Sequence, residues 1–110
     1  MELIQAPLTA KMIKTLKIKH GNYVKVTADI VNQVLVVGTE LHADGEKILL
    51  ENGGKQDDIW GGGINFSSKE IDTTAVLNLR PRLNNSSLEI LDPNRRKMFI
   101  KLVGKIFINL

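Results

Sequence analysis

The chain lacks cysteine entirely and has few prolines and aromatics: three prolines, one tryptophan, one tyrosine and three phenylalanines in 110 residues. Without cysteine there is no disulfide, no thiolate-bound zinc and no thiol nucleophile, a composition that fits a reducing cytoplasm. So few aromatics do not supply a stacking platform for single-stranded nucleic acid. No run approaches 18 consecutive apolar residues, so no transmembrane helix is expected. The start, Met1-Glu2-Leu3-Ile4-Gln5, has no basic region followed by a long apolar stretch and does not read as a signal peptide. The expectation is a soluble, cytoplasmic, single domain spanning residues 1–110, long enough to bury roughly 65% of the surface of its unfolded chain. Also missing are a phosphate-binding loop, a dinucleotide-binding glycine fingerprint, a nucleophile elbow and a His-Glu-x-x-His pair.

Acid is scarce outside the middle of the chain. Residues 40–72 hold eight acids against three bases, a balance of −5; the rest holds four acids against twelve bases, a balance of +8. The basic residues come from both ends of the chain, so folding can bring them together into a patch for an anionic partner. The alternative is a set of ordinary solvated faces.

What is present reads as three helices and four strands in the order αββαββα. Leu8, Met12, Ile13 and Leu16 recur at helical spacing after Pro7, predicting a helix over 8–19 that ends at His20-Gly21. Val24, Val26, Ala28 and Ile30 alternate with Lys25, Thr27 and Asp29, the pattern of a half-buried strand over 23–31. Asn32-Gln33 supplies a turn, with Asn the better suited to positive φ. The continuous apolar run 34–37 predicts a central strand covered on both faces. A second helix is expected over 43–51, although Gly45 weakens it. A strand over 59–66 contains Gly61-Gly62-Gly63, which predicts a bulge or a close approach of backbone or ligand. Alternation of Ala75, Leu77 and Leu79 predicts a fourth strand over 73–80. Asp92-Pro93 then opens a last helix that buries Phe99, Leu102, Val103 and Ile106. The fold class is α+β, a four-stranded, mainly antiparallel sheet with helices on one or both faces.

Three groups of residues carry candidate chemistry. Glu40, His42 and Asp44 alternate; in an extended chain their side chains share one side. Such a row can ligate a divalent metal, orient His42 as a general base, or cap the following helix. Asn78 and Arg80, with Asn85 and Ser87 beyond, form a second group. Here Arg80 and the start of the last helix offer paired donors to a carboxylate or phosphate. The structural alternative pairs Arg80 with Asp92 or Glu40 and spends the amides on loop backbone. The third feature is Trp60, either core or the wall of a small-ligand site beside Asp57 and Asp58.

Glu40-Leu41-His42-Ala43-Asp44, Gly54-Lys55-Gln56-Asp57-Asp58-Ile59-Trp60-Gly61, Asn78-Leu79-Arg80-Pro81 and Asp92-Pro93 together resemble a family of small prokaryotic proteins catalogued as a domain of unknown function. The resemblance runs from about Tyr23 to the last helix and implies no activity. It departs at Gly62 and Gly63, which separate Trp60-Gly61 from Ile64-Asn65 where the family joins the two directly. It departs also at Ser86, where the family has a base; this bears on any anion site built on that charge.

Three functions follow as expectations. The first is a small-ligand or partner-binding domain whose polar site gathers Glu40, His42, Asp44, Asn78 and Arg80, with Trp60 as wall. The second is an enzyme using Glu40 or His42 as base, with or without a divalent metal, and Arg80 to hold an anionic substrate. The third is a nucleic-acid-associated protein using Lys11, Lys14, Arg80, Arg82, Arg95 and Arg96. Exposed sheet edges also make a homodimer an expected partner arrangement.

Overall fold

The computed structural model describes residues 3–110; Met1 and Glu2, the start of the segment read above for a signal peptide, lie outside the described residues. The elements are α1 (Ala10–His20), β1 (Tyr23–Asp29), β2 (Val34–Val37), α2 (His42–Glu51), β3 (Ile59–Asn65), β4 (Ile71–Asp72) and α3 (Pro93–Ile106), with 3-10 turns at Gln56–Asp58, Val76–Asn78 and Pro81–Leu83. All strand pairs are antiparallel and the sheet order is β2-β1-β3-β4. The αββαββα order and the four-stranded sheet are as expected from the sequence. Among the described residues no helix is long and apolar enough to cross a membrane.

Both faces of the sheet are covered. Val24, Val26, Ala28, Leu35, Trp60 and Ile64 pack with Ile13 of α1 and with Phe99, Leu102, Val103 and Ile106 of α3. The opposite face carries a smaller cluster, Val34, Val36, Leu49 and Ile59, under α2. Each such side chain, fully buried, contributes roughly 1.5–3 kcal/mol. The half-buried reading of β1 is therefore corrected: Thr27 and Asp29 are buried too, because α2 lies over them. Asp29 is satisfied locally, its carboxylate accepting from the N–H groups of Val31 and Asn32 and from the Asn32 side chain.

Helix boundaries shift for identifiable reasons. Thr9, whose side chain accepts from Met12 N–H, caps α1 and delays its start to Ala10. Asp92 caps α3 with Pro93 at its first position, as expected. In the β1–β2 turn it is Gln33, not Asn32, that takes the left-handed conformation, at φ 58°. Gly45 is tolerated in the first turn of α2 because a Cβ there would stand 2.5 Å from the Thr27 hydroxyl oxygen, so its absence lets the helix settle on the sheet.

Several strand expectations are corrected. The run 34–37 is buried on both faces as expected but is not central: β2 is the edge strand of the sheet, its outer side met by the lead-in through the Ile4–Leu35 bridge. Of the two readings of the glycine run, the close approach holds and the bulge does not: β1 and β3 pair without interruption from Tyr23↔Asn65 to Asp29↔Ile59, and a Cβ on Gly62 would meet the Asp72 backbone oxygen. The segment 73–80 is not a strand. β4 is only Ile71–Asp72, and the chain then coils through the turn at Val76–Asn78, leaving Val76 76% and Leu79 49% exposed. A side chain takes the place of the missing strand. Buried Asn78 accepts from Gly61 N–H at 2.8 Å and donates to Gly61 C=O at 2.9 Å, completing the edge of β3 with one amide.

Candidate functional site

The segment Glu40–Asp44 does not continue the strand. Gly38, at φ 80°, turns the chain out of β2, and α2 begins at His42. The three polar side chains consequently diverge. Glu40 is exposed, and its backbone carbonyl accepts from Lys25 Nζ at 2.6 Å. Asp44 accepts from Leu41 N–H at 3.2 Å, half of a capping box, and its charge suits the helix N-terminus. His42 alone turns inward, over β3. Among the described residues no three His, Asp or Glu side chains come close enough to hold a metal.

His42 lies against the glycine run. Its Nε2 is 2.7 Å from the carbonyl oxygen of Gly62. A carbonyl only accepts, so Nε2 carries the proton and Nδ1 of the neutral ring carries the lone pair. Burial pushes the imidazole pKa below its usual value; the Gly62 carbonyl opposes that, Lys25 adds to it and Asp72 opposes it. A Cβ on Gly61 would stand 2.9 Å from the ring, so His42 occupies the space a strand side chain would otherwise fill.

Gly63 is filled the same way by Tyr23, whose phenol lies across it. The Tyr23 hydroxyl donates to Asp72 Oδ2 at 2.7 Å, while Asp72 Oδ1 accepts from Thr74 N–H at 3.2 Å. Burial first, then the hydrogen bond and the negative charge of Asp72, push the phenol pKa far up, so it remains a donor at neutral pH. Register explains the grouping: Lys25 pairs with Gly63 and Gly63 with Asp72, which places Lys25 and Asp72 on one face of the sheet on either side of a residue without a side chain. Tyr23, Lys25, His42 and Asp72 thus form a polar cluster at the open end of the α2 layer. Sequence reasoning missed three of them. The signal available was the triple glycine, which marks where other side chains lie over a strand.

The second group is built around Arg80. Its Nη2 meets Glu46 Oε2 at 3.2 Å, and its guanidinium carbon is 4.6 Å from the centroid of the Trp60 ring. Arg80 therefore pairs with neither Asp92 nor Glu40; α2 presents Glu46 instead, one turn beyond His42. Arg80 Nη1 is buried without a hydrogen-bond partner, and the Trp60 π-face is its nearest compensation. Trp60 is fully buried and donates Nε1–H to Asp57 O at 3.0 Å. Arg95 lies 5.2 Å from the same ring centroid. The arginines here are matched by carboxylates: Arg80 by Glu46, exposed Arg82 by Asp57, Arg95 by Asp92.

The remaining candidates serve the backbone. Asn78 Nδ2 also reaches Thr73 O and Leu88 O, each at 3.1 Å. Asn85 donates to Asn78 O, Ser87 O and Glu89 O and accepts from Leu91 N–H. Ser87 Oγ accepts from Glu89 N–H. His42 and Asn78 do converge, but on opposite roles at Gly61: one covers it, the other pairs with its peptide groups. A cavity of about 670 Å³ lies away from both groups, between the lead-in Leu3–Leu8 and α1; its wall is mainly apolar and includes Met12, Leu16, Lys19, His20 and Val37.

A family model described as "Protein of unknown function (DUF5674)" matches residues 2–106. No curated protein and no solved structure matches.

Proposed function

The chain belongs to this DUF5674 family of unknown function, and from that premise we propose that it is a small-ligand-binding domain whose site is the cluster of Tyr23, Lys25, His42 and Asp72. One observation carries the reading. Three consecutive glycines in a central strand forfeit cross-strand packing, and on the α2 face the released space holds an imidazole and a phenol rather than apolar groups. A fold shaped only for stability gains more from β-branched side chains there. The cluster offers a cation whose contact is a neutral carbonyl (Lys25), an acceptor (His42 Nδ1), and a carboxylate held by a phenol (Asp72 with Tyr23). The matching ligand is small, carries an anionic group for Lys25 and presents a hydrogen-bond donor to His42. Calorimetric titration with inorganic phosphate, malonate and succinate tests this: saturable binding that weakens at least tenfold in Lys25→Met supports it, and no heat from any of them at millimolar concentration counts against it.

His42 also supports an enzymatic reading. A neutral imidazole oriented through Nε2 by a carbonyl has its Nδ1 lone pair poised as a general base. p-Nitrophenyl phosphate and p-nitrophenyl acetate are direct probes. Turnover lost in His42→Gln supports base catalysis, whereas equal rates in both proteins, or none, remove it for those substrate classes.

A further inference from the structure

The two helices that share one side of the sheet share an unusual charge pattern. α1 carries Lys11, Lys14, Lys17 and Lys19 and no acid. α3 carries Arg95, Arg96, Lys97, Lys101 and Lys105 and no acid. The sequence put these bases at opposite ends of the chain; the fold brings them into one layer, since Ile13 of α1 and Phe99, Leu102 and Val103 of α3 enter the same core. The lead-in to α1 is tied directly to the end of α3, Leu8 N–H donating to Ile106 O at 2.8 Å and the Asn109 side chain to Leu8 O at 2.8 Å. On the other side of the sheet, α2 carries three acids and one lysine. The charge asymmetry of the chain is therefore an asymmetry of two faces.

On α3 the exposed Lys97, Lys101 and Lys105 recur every four residues, one line of charges about 6 Å apart along the outward side. Among the described residues no lysine of either helix lies within ion-pair distance of a carboxylate, in contrast to the matched arginines around Trp60. Helices that lie in a lipid interface bury a continuous apolar stripe there and anchor it with aromatic residues. Here α1 and α3 do leave Met12, Ile18, Met98 and Ile100 exposed, but their spacing makes no continuous stripe along either helix, and all three phenylalanines and the tryptophan are buried. The exposed charge on both helices is all positive and on α3 runs in a line, complementary to a polymer with regularly spaced negative charge.

We propose that the α1–α3 face binds the phosphate backbone of duplex nucleic acid, without sequence selectivity. The proposal is independent of the His42 site, which lies on the other face of the sheet. Engagement of about four phosphates predicts an affinity that falls about 100-fold between 50 and 200 mM salt. The test is fluorescence anisotropy with a labelled 20-base-pair duplex at low salt, on wild type, on Lys97→Glu/Lys101→Glu, on Lys11→Glu/Lys14→Glu, and on the control Lys47→Glu/Lys55→Glu from the α2 side; circular dichroism verifies folding of each. The expected result is salt-dependent binding that weakens at least tenfold in the first two double variants and less than twofold in the control. No binding to the duplex at 50 mM salt overturns the proposal. So does equal weakening in the control, or binding to phosphatidylserine vesicles without binding to the duplex.

Discussion

Asn78 holds both peptide groups of Gly61 with one side chain, accepting from its N–H at 2.8 Å and donating to its carbonyl at 2.9 Å. The amide is fully buried, so water cannot replace it. Asn78→Leu therefore strands a buried N–H and weakens the support of two further carbonyls, Thr73 O and Leu88 O. With about 1–3 kcal/mol for each buried group left unsatisfied, we expect a loss of about 3 kcal/mol, read from the midpoint of urea unfolding. Asn78→Asp retains an acceptor but no donors and is expected to lose at least as much.

The glycine run is predicted to rank by what a new Cβ meets. At Gly62 it meets the backbone oxygen of Asp72 and the Phe99 ring; at Gly63 it meets the Tyr23 phenol. The Gly62 neighbour is main chain and the Gly63 neighbour is the end of a side chain. Overpacking typically costs about 1–3 kcal/mol. Gly62→Ala is expected at or above the upper end and Gly63→Ala near the lower, with Tyr23 displaced and its bond to Asp72 lost. Equal unfolding midpoints for the two variants would contradict the assignment.

Stability is predicted to fall on mild acidification because of His42. Its folded pKa lies below the usual value of 6.5, chiefly through burial. The unfolded chain therefore takes up a proton first as pH drops through about 6.5, and stability declines from there down to the folded pKa. Above that window the contribution is constant. Urea unfolding across pH 5–8 should show this slope in wild type and a shallower one in His42→Gln, which keeps a donor for Gly62 O.

Removing Arg80 should cost more than removing Arg82. Arg80 is 8% exposed and joins Glu46 of α2 to Trp60, whereas the Arg82–Asp57 pair is on the surface. Breaking a buried pair typically costs about 3–5 kcal/mol and an exposed one at most about 1 kcal/mol. Arg80→Ala is expected near 3 kcal/mol, because Glu46 retains some solvent, and Glu46→Gln in the same chain should recover part of it.

Much of the fold was legible because it rests on local pattern. The alternation of Val24, Val26 and Ala28, the apolar run 34–37 and the Asp92-Pro93 helix start each fix an element through neighbouring residues. The fourth strand misled because Ala75, Leu77 and Leu79 alternate as a strand does, while the partner that stands in for it is one amide, Asn78, whose bond to Gly61 spans 17 positions. The site was half legible for the same reason. His42 stood out beside a buried strand, but Lys25 and Asp72 join it only through the Lys25↔Gly63↔Asp72 register. Glu40 and Asp44 left the group when Gly38 turned the chain away from β2.

The central claim is that His42, Lys25, Tyr23 and Asp72 bind a ligand together. Nuclear magnetic resonance of the His42 ring and of the Gly61–Gly63 amides, during titration with phosphate, malonate and succinate, tests it most directly. The claim predicts saturable shifts confined to these groups with at least one of the three anions, abolished in Lys25→Met and unchanged in Lys97→Glu/Lys101→Glu. Shifts that fail to saturate, or that appear first along α1 and α3 while His42 stays still, would contradict it.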